Sequence, residues 1–261
     1  MTLIEKAEAF AKLHVPGTPL VLYNAWDAGS AKAIAAAGAR AIGTSSWALA
    51  EAHGYRDGEA MPLALVAQIV GRIALSVELP VTVDFESGYM NQPASERYEG
   101  DDATLGENVA RLLALGVVGV NFEDRVAGGA GVYDVERQVR RIAILRRVAE
   151  AHGIPLFVNA RTDVFIGASD ADRALADALR RAEAYAAAGA SGFFVPGVRD
   201  AEVIEKIVHG TSLPVNVMVG RGTPSNAVLR ELGVARISFG PGPYVRAMET
   251  LGERAVEALA L

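Results

Sequence analysis

Four short stretches end in groups that handle protons, anions or hard cations: YNAWD at 23–27, VDFESGY at 83–89, NFEDR at 121–125 and NARTD at 159–163. In VDFESGY, Val83 and Phe85 alternate with Asp84 and Glu86, which gives one apolar face and one face with two carboxylates. Glu123 and Asp124 close the NFEDR stretch, and Asn159, Arg161 and Asp163 close NARTD. Carboxylates that converge repel one another unless a cation joins them. The all-oxygen set Asp84, Glu86 and Glu123 suits a hard divalent ion, most of all Mg2+, which keeps several waters and takes only one or two carboxylates directly. The alternative is structural, with the same acids paired to Arg125 and Arg161.

These groups need elements to position them. Short apolar runs recur between longer Ala/Arg/Glu-rich stretches, the alternation of βαβ units around a parallel sheet. Strands are expected at Leu20–Ala25, Ala39–Ser45, Pro80–Glu86, Gly119–Asp124, Pro155–Asp163, Gly192–Pro196, Pro214–Val219 and Arg236–Gly240. AAAGA at 35–39, LALGV at 113–117, AAAGA at 186–190 and RELGV at 230–234 each place a glycine behind a helical stretch, where a left-handed cap costs least. Eight units in 261 residues fit a single (β/α)8 TIM-type barrel over 1–261, with no Pro/Gly/Ser-rich linker. A doubly wound open sheet is the rival, but YNAWDAGSA follows the first strand where its glycine fingerprint would stand. Barrels of this kind carry their chemistry at the carboxyl ends of the strands. Asn24 and Asp27, Ser45 and Ser46, Asp84 and Glu86, Glu123 and Asp124, and Asn159, Arg161 and Asp163 fall there in succession, with Asn216 inside the seventh strand. Asp27 precedes AGSAKAIAAAG and also reads as a helix N-cap.

Composition narrows the partner. A net charge of −6 without a run of like charges points away from nucleic acid and anionic membrane and toward a small-molecule ligand. No apolar stretch approaches the roughly 20 residues of a membrane span, and Met1–Phe10 reads as an amphipathic helix, so a cytoplasmic protein is expected. The chain has no cysteine, hence no thiolate ligand and no thiol acid. His14, His53, His152 and His209 sit on or after helices and read as packing or surface residues.

TSSWALAEAHGYRDGE at 44–59, VDFESGY, NFEDR and NARTD together resemble the isocitrate lyase/phosphoenolpyruvate mutase superfamily, in order and over nearly the whole chain. The resemblance implies a Mg2+-dependent barrel enzyme that makes or breaks carbon–carbon or carbon–phosphorus bonds of 2-oxo or 2-hydroxy acids through a metal-stabilised enolate. It implies Asp84 as the direct metal contact, with Asp57, Glu86 and Glu123 holding metal waters. Ser45 and the backbone NH groups of Ser46 and Trp47 would cradle the substrate carboxylate, Arg161 would pair with carboxylate or oxyanion, and Asn216 would complete the substrate contacts. Asp57, Glu123, Arg161 and Tyr89 are the expected catalytic groups. Relatives form tetramers that exchange a C-terminal helix, so a homo-oligomer, dimer or tetramer, is expected.

The departures bear on the reaction. Lyases of the superfamily that cleave isocitrate or methylisocitrate carry a Cys in a Lys-Cys-Gly-His loop after the fourth strand. Here that loop reads RVAGGAGVYD, with Arg125 and Tyr133 its ionisable groups near the tip, and it also lacks the Lys and Asn of the carbon–phosphorus branches. Glu86 stands where Asp is usual, and Met90 where Gly is usual. Nothing in the loop can take the Cys role directly, since Arg125 stays charged and Tyr133 is a poor acid at neutral pH, and isocitrate cleavage, if found, would make Tyr89 and Tyr133 the first acids to mutate. Decarboxylation or carbon–carbon cleavage of a small 2-oxo or 2-hydroxy (di)carboxylate is the expected activity. The rivals are a non-catalytic 2-oxo-acid binder and a metal-dependent pyruvate-type aldolase. GGAG at 128–131 reads as a flexible lid, and FGPGPY at 239–244 as a turn whose NH groups could meet an anion.

Overall fold

Apolar runs alternating with Gly-capped helices resolve, in a computed structural model that describes residues 1–90 and 99–260, into parallel strands each followed by helix. The first half contains α1 (Leu3–Lys12), β1 (Leu20–Leu22), α2 (Ala28–Ala36), β2 (Ile42–Gly43), α3 (Ser46–Ala52), α4 (Leu63–Ser76), β3 (Val81–Asp84), α5 (Glu99–Ala114) and β4 (Gly119–Glu123). The second contains α6 (Val135–Ala151), β5 (Phe157–Arg161), α7 (Ala171–Ala187), β6 (Gly192–Phe194), α8 (Ala201–His209), β7 (Val215–Met218), α9 (Asn226–Glu231), β8 (Arg236–Ser238) and α10 (Gly242–Leu259).

The strands form an eight-stranded parallel sheet in the order β1-β8-β7-β6-β5-β4-β3-β2. The remaining seam, between β1 and β2, is joined by a parallel bridge from Ala25 to Thr44. Asn24 staples that seam: its Nδ2 donates to Thr44 O at 2.7 Å, and its Oδ1 accepts from the backbone NH groups of Phe239 and Gly240, each at 2.9 Å. This is a (β/α)8 barrel. All eight expected strands are present but shorter than expected at their carboxyl ends, because the chain leaves the ladder there to build the rim. Of the FGPGPY NH groups that could have met an anion, those of Phe239 and Gly240 serve Asn24, and that of Gly242 donates to Phe239 O at 3.0 Å.

Alternation sorts the side chains. Val83, Phe85, Val120, Phe122, Val158, Phe193, Val217 and Ile237 are buried in the shell between strands and helices, and each side chain of this size contributes roughly 1.5–3 kcal/mol. Thr82, Asp84, Asn121, Glu123, Asn159, Arg161, Asn216 and Arg236 occupy the alternate positions, which face the barrel interior. Gly38, Gly116, Gly189 and Gly233 all take positive φ, between 84° and 95°, as the helix-to-strand caps read in the sequence. Asp27 does cap α2, accepting from Ser30 N at 2.6 Å.

The amino end of the barrel is closed by α1. Ala7 and Phe10 are fully buried there, and Phe10 meets Phe157 edge-on at 5.5 Å. His14 stacks on Phe157 at 3.9 Å and donates from Nδ1 to Phe10 O, while burial pushes its imidazole down to about 3, so it is neutral. His53 and His152 use Nδ1 in the same way on carbonyls four residues back, as the C-caps of α3 and α6. At the opposite extreme, α10 buries only Pro243 among its described residues and exposes Met248, Leu251, Val256 and Leu259. Val21 and Tyr23, which a covering helix would hide in a closed barrel, are also exposed. Among the described residues no helix is long and apolar enough to cross a membrane.

Candidate active site

At the carboxyl ends of β2 to β5 the rim encloses a cavity of about 290 Å3 lined by Asp57, Glu59, Glu86, Glu123, Arg125 and Arg161, with Ser46, Ser87 and the 126–129 segment. Register sets the first of these. Glu123 and Arg161 are Cα partners on adjacent strands, and Glu123 N donates to Glu86 O at 2.9 Å, which carries the β3–β4 pairing past the end of the ladder. Asp84, one layer deeper, accepts on Oδ2 from Ser46 N at 3.1 Å and Ser46 Oγ at 2.8 Å. Its Oδ1 is buried with no hydrogen-bond donor.

Glu86 is aimed by an unusual turn. Glu86, Gly88 and Tyr89 have φ of 48°, 98° and 56°, a left-handed run in which two residues carry side chains, and such strain concentrates at functional sites. Gly88 has no alternative, since a Cβ there would lie 2.6 Å from Leu105 Cδ1. Three side chains distant in sequence hold the turn. Glu59 Oε1 accepts from Ser87 Oγ at 2.7 Å and Tyr89 N at 2.8 Å. Asn108 Nδ2 donates to the carbonyls of Gly88 and Tyr89, both at 3.0 Å. Buried Arg141 donates to Ser87 O and lies over the rings of Phe122 and Tyr133. Sequence reasoning missed all three. Only Glu59 had a local signal, an acid two residues after Asp57 in the YRDGE loop.

The arrangement has more acid than base. Burial first, with Asp57, Asp84 and Glu59 adding to it, pushes the Glu86 carboxyl up to about 7, against the hydrogen bond from Tyr89 Oη at 2.7 Å. Burial and then Asp84 raise Asp57, while burial, Asp163, Asp84 and Glu86 raise Glu123 against the pull of Arg161. Burial disfavours the Arg161 charge, but Glu123, Asp163 and Asp84 outweigh it and hold the guanidinium firmly protonated. The Tyr89 hydroxyl is raised far beyond its usual range by burial and by Glu86.

Several expected residues have other partners. The Arg161 fork, expected to face a ligand, is closed on Asp163, Nε to Oδ1 at 2.6 Å and Nη2 to Oδ2 at 2.9 Å, with Nη1 on Glu123 Oε2 at 2.8 Å and 3.9 Å from Asp84. The Arg161–Glu123 part of the structural pairing alternative is thus present. Arg125, at the cavity wall, has no ion pair among the described residues. Ser45 Oγ caps α3 by accepting from Ala48 N at 3.3 Å, and the Ser46 NH expected on a substrate carboxylate is given to Asp84. Trp47 is half-buried, edge-on to Tyr244 at 6.1 Å. Asn216 lies inside the barrel with its amide spent on Asn159, Val217 O, Arg236 O and Ser238 Oγ, and it does not line the cavity. The RVAGGAGVYD loop is a small hairpin, bridged from Arg125 to Val132 and tied by Val126 N to Gly131 O, whose 126–129 segment walls the cavity. Among the described residues no three acids or imidazoles converge closely enough to ligate one ion.

Comparison with known proteins agrees with this geometry. A structure of a candidate phosphonomutase from Burkholderia cenocepacia J2315 superposes with a TM-score of 0.90 at 45% identity, covering 96% of this chain and 99% of that one. An uncharacterised protein of Mycobacterium tuberculosis (strain ATCC 25618 / H37Rv) is 34% identical over 236 residues, 90% of this chain and 83% of its own length. An oxaloacetate decarboxylase of Rhodopseudomonas palustris (strain BisA53) is 32% identical over 181 residues, 67% of this chain but 55% of that protein. The sequence profile of the family described as phosphoenolpyruvate phosphomutase matches residues 10–259. The chain therefore belongs to the phosphoenolpyruvate phosphomutase family, among the (β/α)8-barrel enzymes of the isocitrate lyase/phosphoenolpyruvate mutase superfamily.

Proposed function

We propose that the protein is a Mg2+-dependent carbon–carbon lyase acting on a small 2-oxo or 2-hydroxy carboxylate, and that decarboxylation of an oxaloacetate-type acid is the reaction its residues suit best. The observation that carries this reading is the acid-rich cavity beneath the hairpin, with Arg161 on its wall and, 3.9 Å from Arg161 Nη1, the Oδ1 of Asp84, which is buried without a hydrogen-bond donor. Its volume, about 290 Å3, is near the lower end of the roughly 300–1,000 Å3 of ligand pockets, which suits a small acid with a hydrated ion. Mg2+ fits this donor set better than an ion needing a full protein cage, because it is commonly held by one or two carboxylates and its own waters. Asp84 would be the direct contact, with Asp57, Glu86 and Glu123 receiving the waters. Bound there, Mg2+ would supply Lewis-acid stabilisation of the enolate charge that develops on the keto oxygen.

The chain's own groups do the rest. Arg161, locked by Glu123 and Asp163, presents a fixed positive charge to the substrate carboxylate. The 126–129 segment closes over the ligand and excludes water, which strengthens that attraction. No side chain from Val126 to Gly131 can deliver a proton, and the Tyr89 proton is committed to Glu86. Loss of carbon dioxide needs no acid at the leaving group, whereas isocitrate cleavage does. The similarity to an oxaloacetate decarboxylase supports the same choice. With Mg2+, oxaloacetate is expected to yield pyruvate and isocitrate to yield no glyoxylate. Glyoxylate release would sink the assignment, binding of oxaloacetate without turnover would favour the non-catalytic reading, and condensation of pyruvate with added aldehydes would favour the aldolase.

The site belongs to a homo-oligomer in this reading. The exposed apolar side of α10 and the groove of about 520 Å3 lined by Val21, Tyr23, Ala33, Ile34 and Ala37 are complementary uncovered surfaces, and the α10 of one copy would cover the groove of another. Met248→Glu combined with Leu251→Glu is expected to convert a dimer or tetramer to monomer in sedimentation velocity. A monomeric wild type would refute it.

A further inference from the structure

Beneath the cavity, the barrel interior holds a positive charge that the scheme above does not use. Arg236 opens β8 and is 1% exposed. Its Nη2 donates to Asn121 Oδ1 at 3.0 Å, and Nε and Nη1 have no hydrogen-bond partner. The groups around it are neutral: Asn159 Nδ2 donates to Asn121 Oδ1 at 2.9 Å and to Asn216 Oδ1 at 3.0 Å, and Asn216 Nδ2 donates to Arg236 O at 3.2 Å. This amide network spans β4, β5, β7 and β8. No carboxylate reaches the guanidinium among the described residues.

A buried guanidinium without a carboxylate in contact is a poor way to stabilise a core, and well-packed apolar replacements of buried charges are often neutral or stabilising. The arrangement points instead toward the rim. Asn121, which receives the guanidinium, is the Cα partner of Asp84 on β3, so the charge is held at the layer of the acid whose Oδ1 is also buried without a hydrogen-bond donor. Burial pulls Arg236 down to about 9, with Asp84 acting to raise it, so the group remains charged at neutral pH. In a low-dielectric interior, a fixed cation below a site acts on every charge that enters it.

We propose that Arg236 is a positioning residue whose fixed charge sets the electrostatic balance of the site, weakening the hold on a divalent cation and strengthening the hold on the substrate dianion. The inference rests on the Mg2+ and oxo-acid reading of the cavity. It gives Arg236 opposite effects on two ligands, which a merely structural residue would not produce.

The test uses calorimetry on the full chain with Mg2+ alone and then with oxalate, a planar dianion resembling a 2-oxo-acid enolate, at saturating Mg2+. Arg236→Met is expected to bind Mg2+ roughly five- to tenfold more tightly and oxalate roughly five- to tenfold more weakly. It should unfold thermally at or above the wild-type temperature without ligands. Arg236→Lys, which keeps the charge, should stay within about twofold on both ligands. Arg236→Gln replaces Met as the neutral variant if Met fails to fold. Unchanged affinities, affinities that weaken together, a Lys variant that behaves like Met, or failure of both neutral variants to fold would each overturn the proposal. Wild-type protein that binds no Mg2+ would instead overturn the reading of the site and this inference with it.

Discussion

Asp84→Asn is expected to abolish Mg2+ binding, and with it metal-dependent oxo-acid binding, without loss of fold. Asn keeps the acceptor that holds Ser46 N and Ser46 Oγ, so the start of α3 and its link to β3 survive. It removes the charge on a rim acid whose buried Oδ1 accepts no hydrogen bond, and relieves Asp57, Glu86 and Glu123 of a neighbour that raises each of them. Loss of groups one step removed from a metal typically costs 10–100-fold in affinity, so loss of the direct contact should exceed about 100-fold. Calorimetry with Mg2+ reads this, and the unfolding midpoint without metal should stay level or rise. Unchanged Mg2+ affinity would remove Asp84 from the site.

Arg181→Met should cause the largest loss of stability, about 3–5 kcal/mol, by stranding a buried carboxylate. Asp124 is fully buried and accepts from Arg181 Nη1 at 3.1 Å, Tyr185 Oη at 2.8 Å and Asp163 N at 3.0 Å. Arg181 Nη1 also donates to Tyr133 O at 2.9 Å, so one guanidinium ties α7 to the end of β4 and the base of the hairpin. Burial already raises the Asp124 carboxyl, with Arg181 the strongest opposing influence, and losing Arg181 raises it further. A carboxyl whose folded pKa exceeds its unfolded value makes the fold bind more protons, so stability falls as pH rises through that interval. The deficit of the variant should therefore shrink between about pH 8 and about pH 5. Urea unfolding at the two pH values checks both statements. A deficit under about 1 kcal/mol at the higher pH would show that Tyr185 and the backbone suffice for Asp124.

Much of the barrel is legible because its signals are local. Val83 and Phe85 alternate with Asp84 and Glu86 whether or not the rest of the chain is present, and Gly38, Gly116, Gly189 and Gly233 mark helix ends through their own φ. The motifs also bring Asp57, Glu86, Glu123 and Arg161 to one cavity wall, because strands in a parallel ring end on the same side. What each group does there depends on partners remote in sequence. Asp163 claims the Arg161 fork, Asp84 claims the Ser46 NH, and Asn216 joins an amide network with Asn121 and Asn159. Glu59, Asn108 and Arg141 hold the turn that aims Glu86 from three separate elements, and Arg236 meets Asn121 across 115 positions of chain. Period and capping are set by backbone geometry within a few residues, so the sequence alone determined the strands, the caps and the acidic rim. Hydrogen-bond partners are chosen by register and closure of the whole ring, so only the tertiary structure decided which charges are free to meet a ligand.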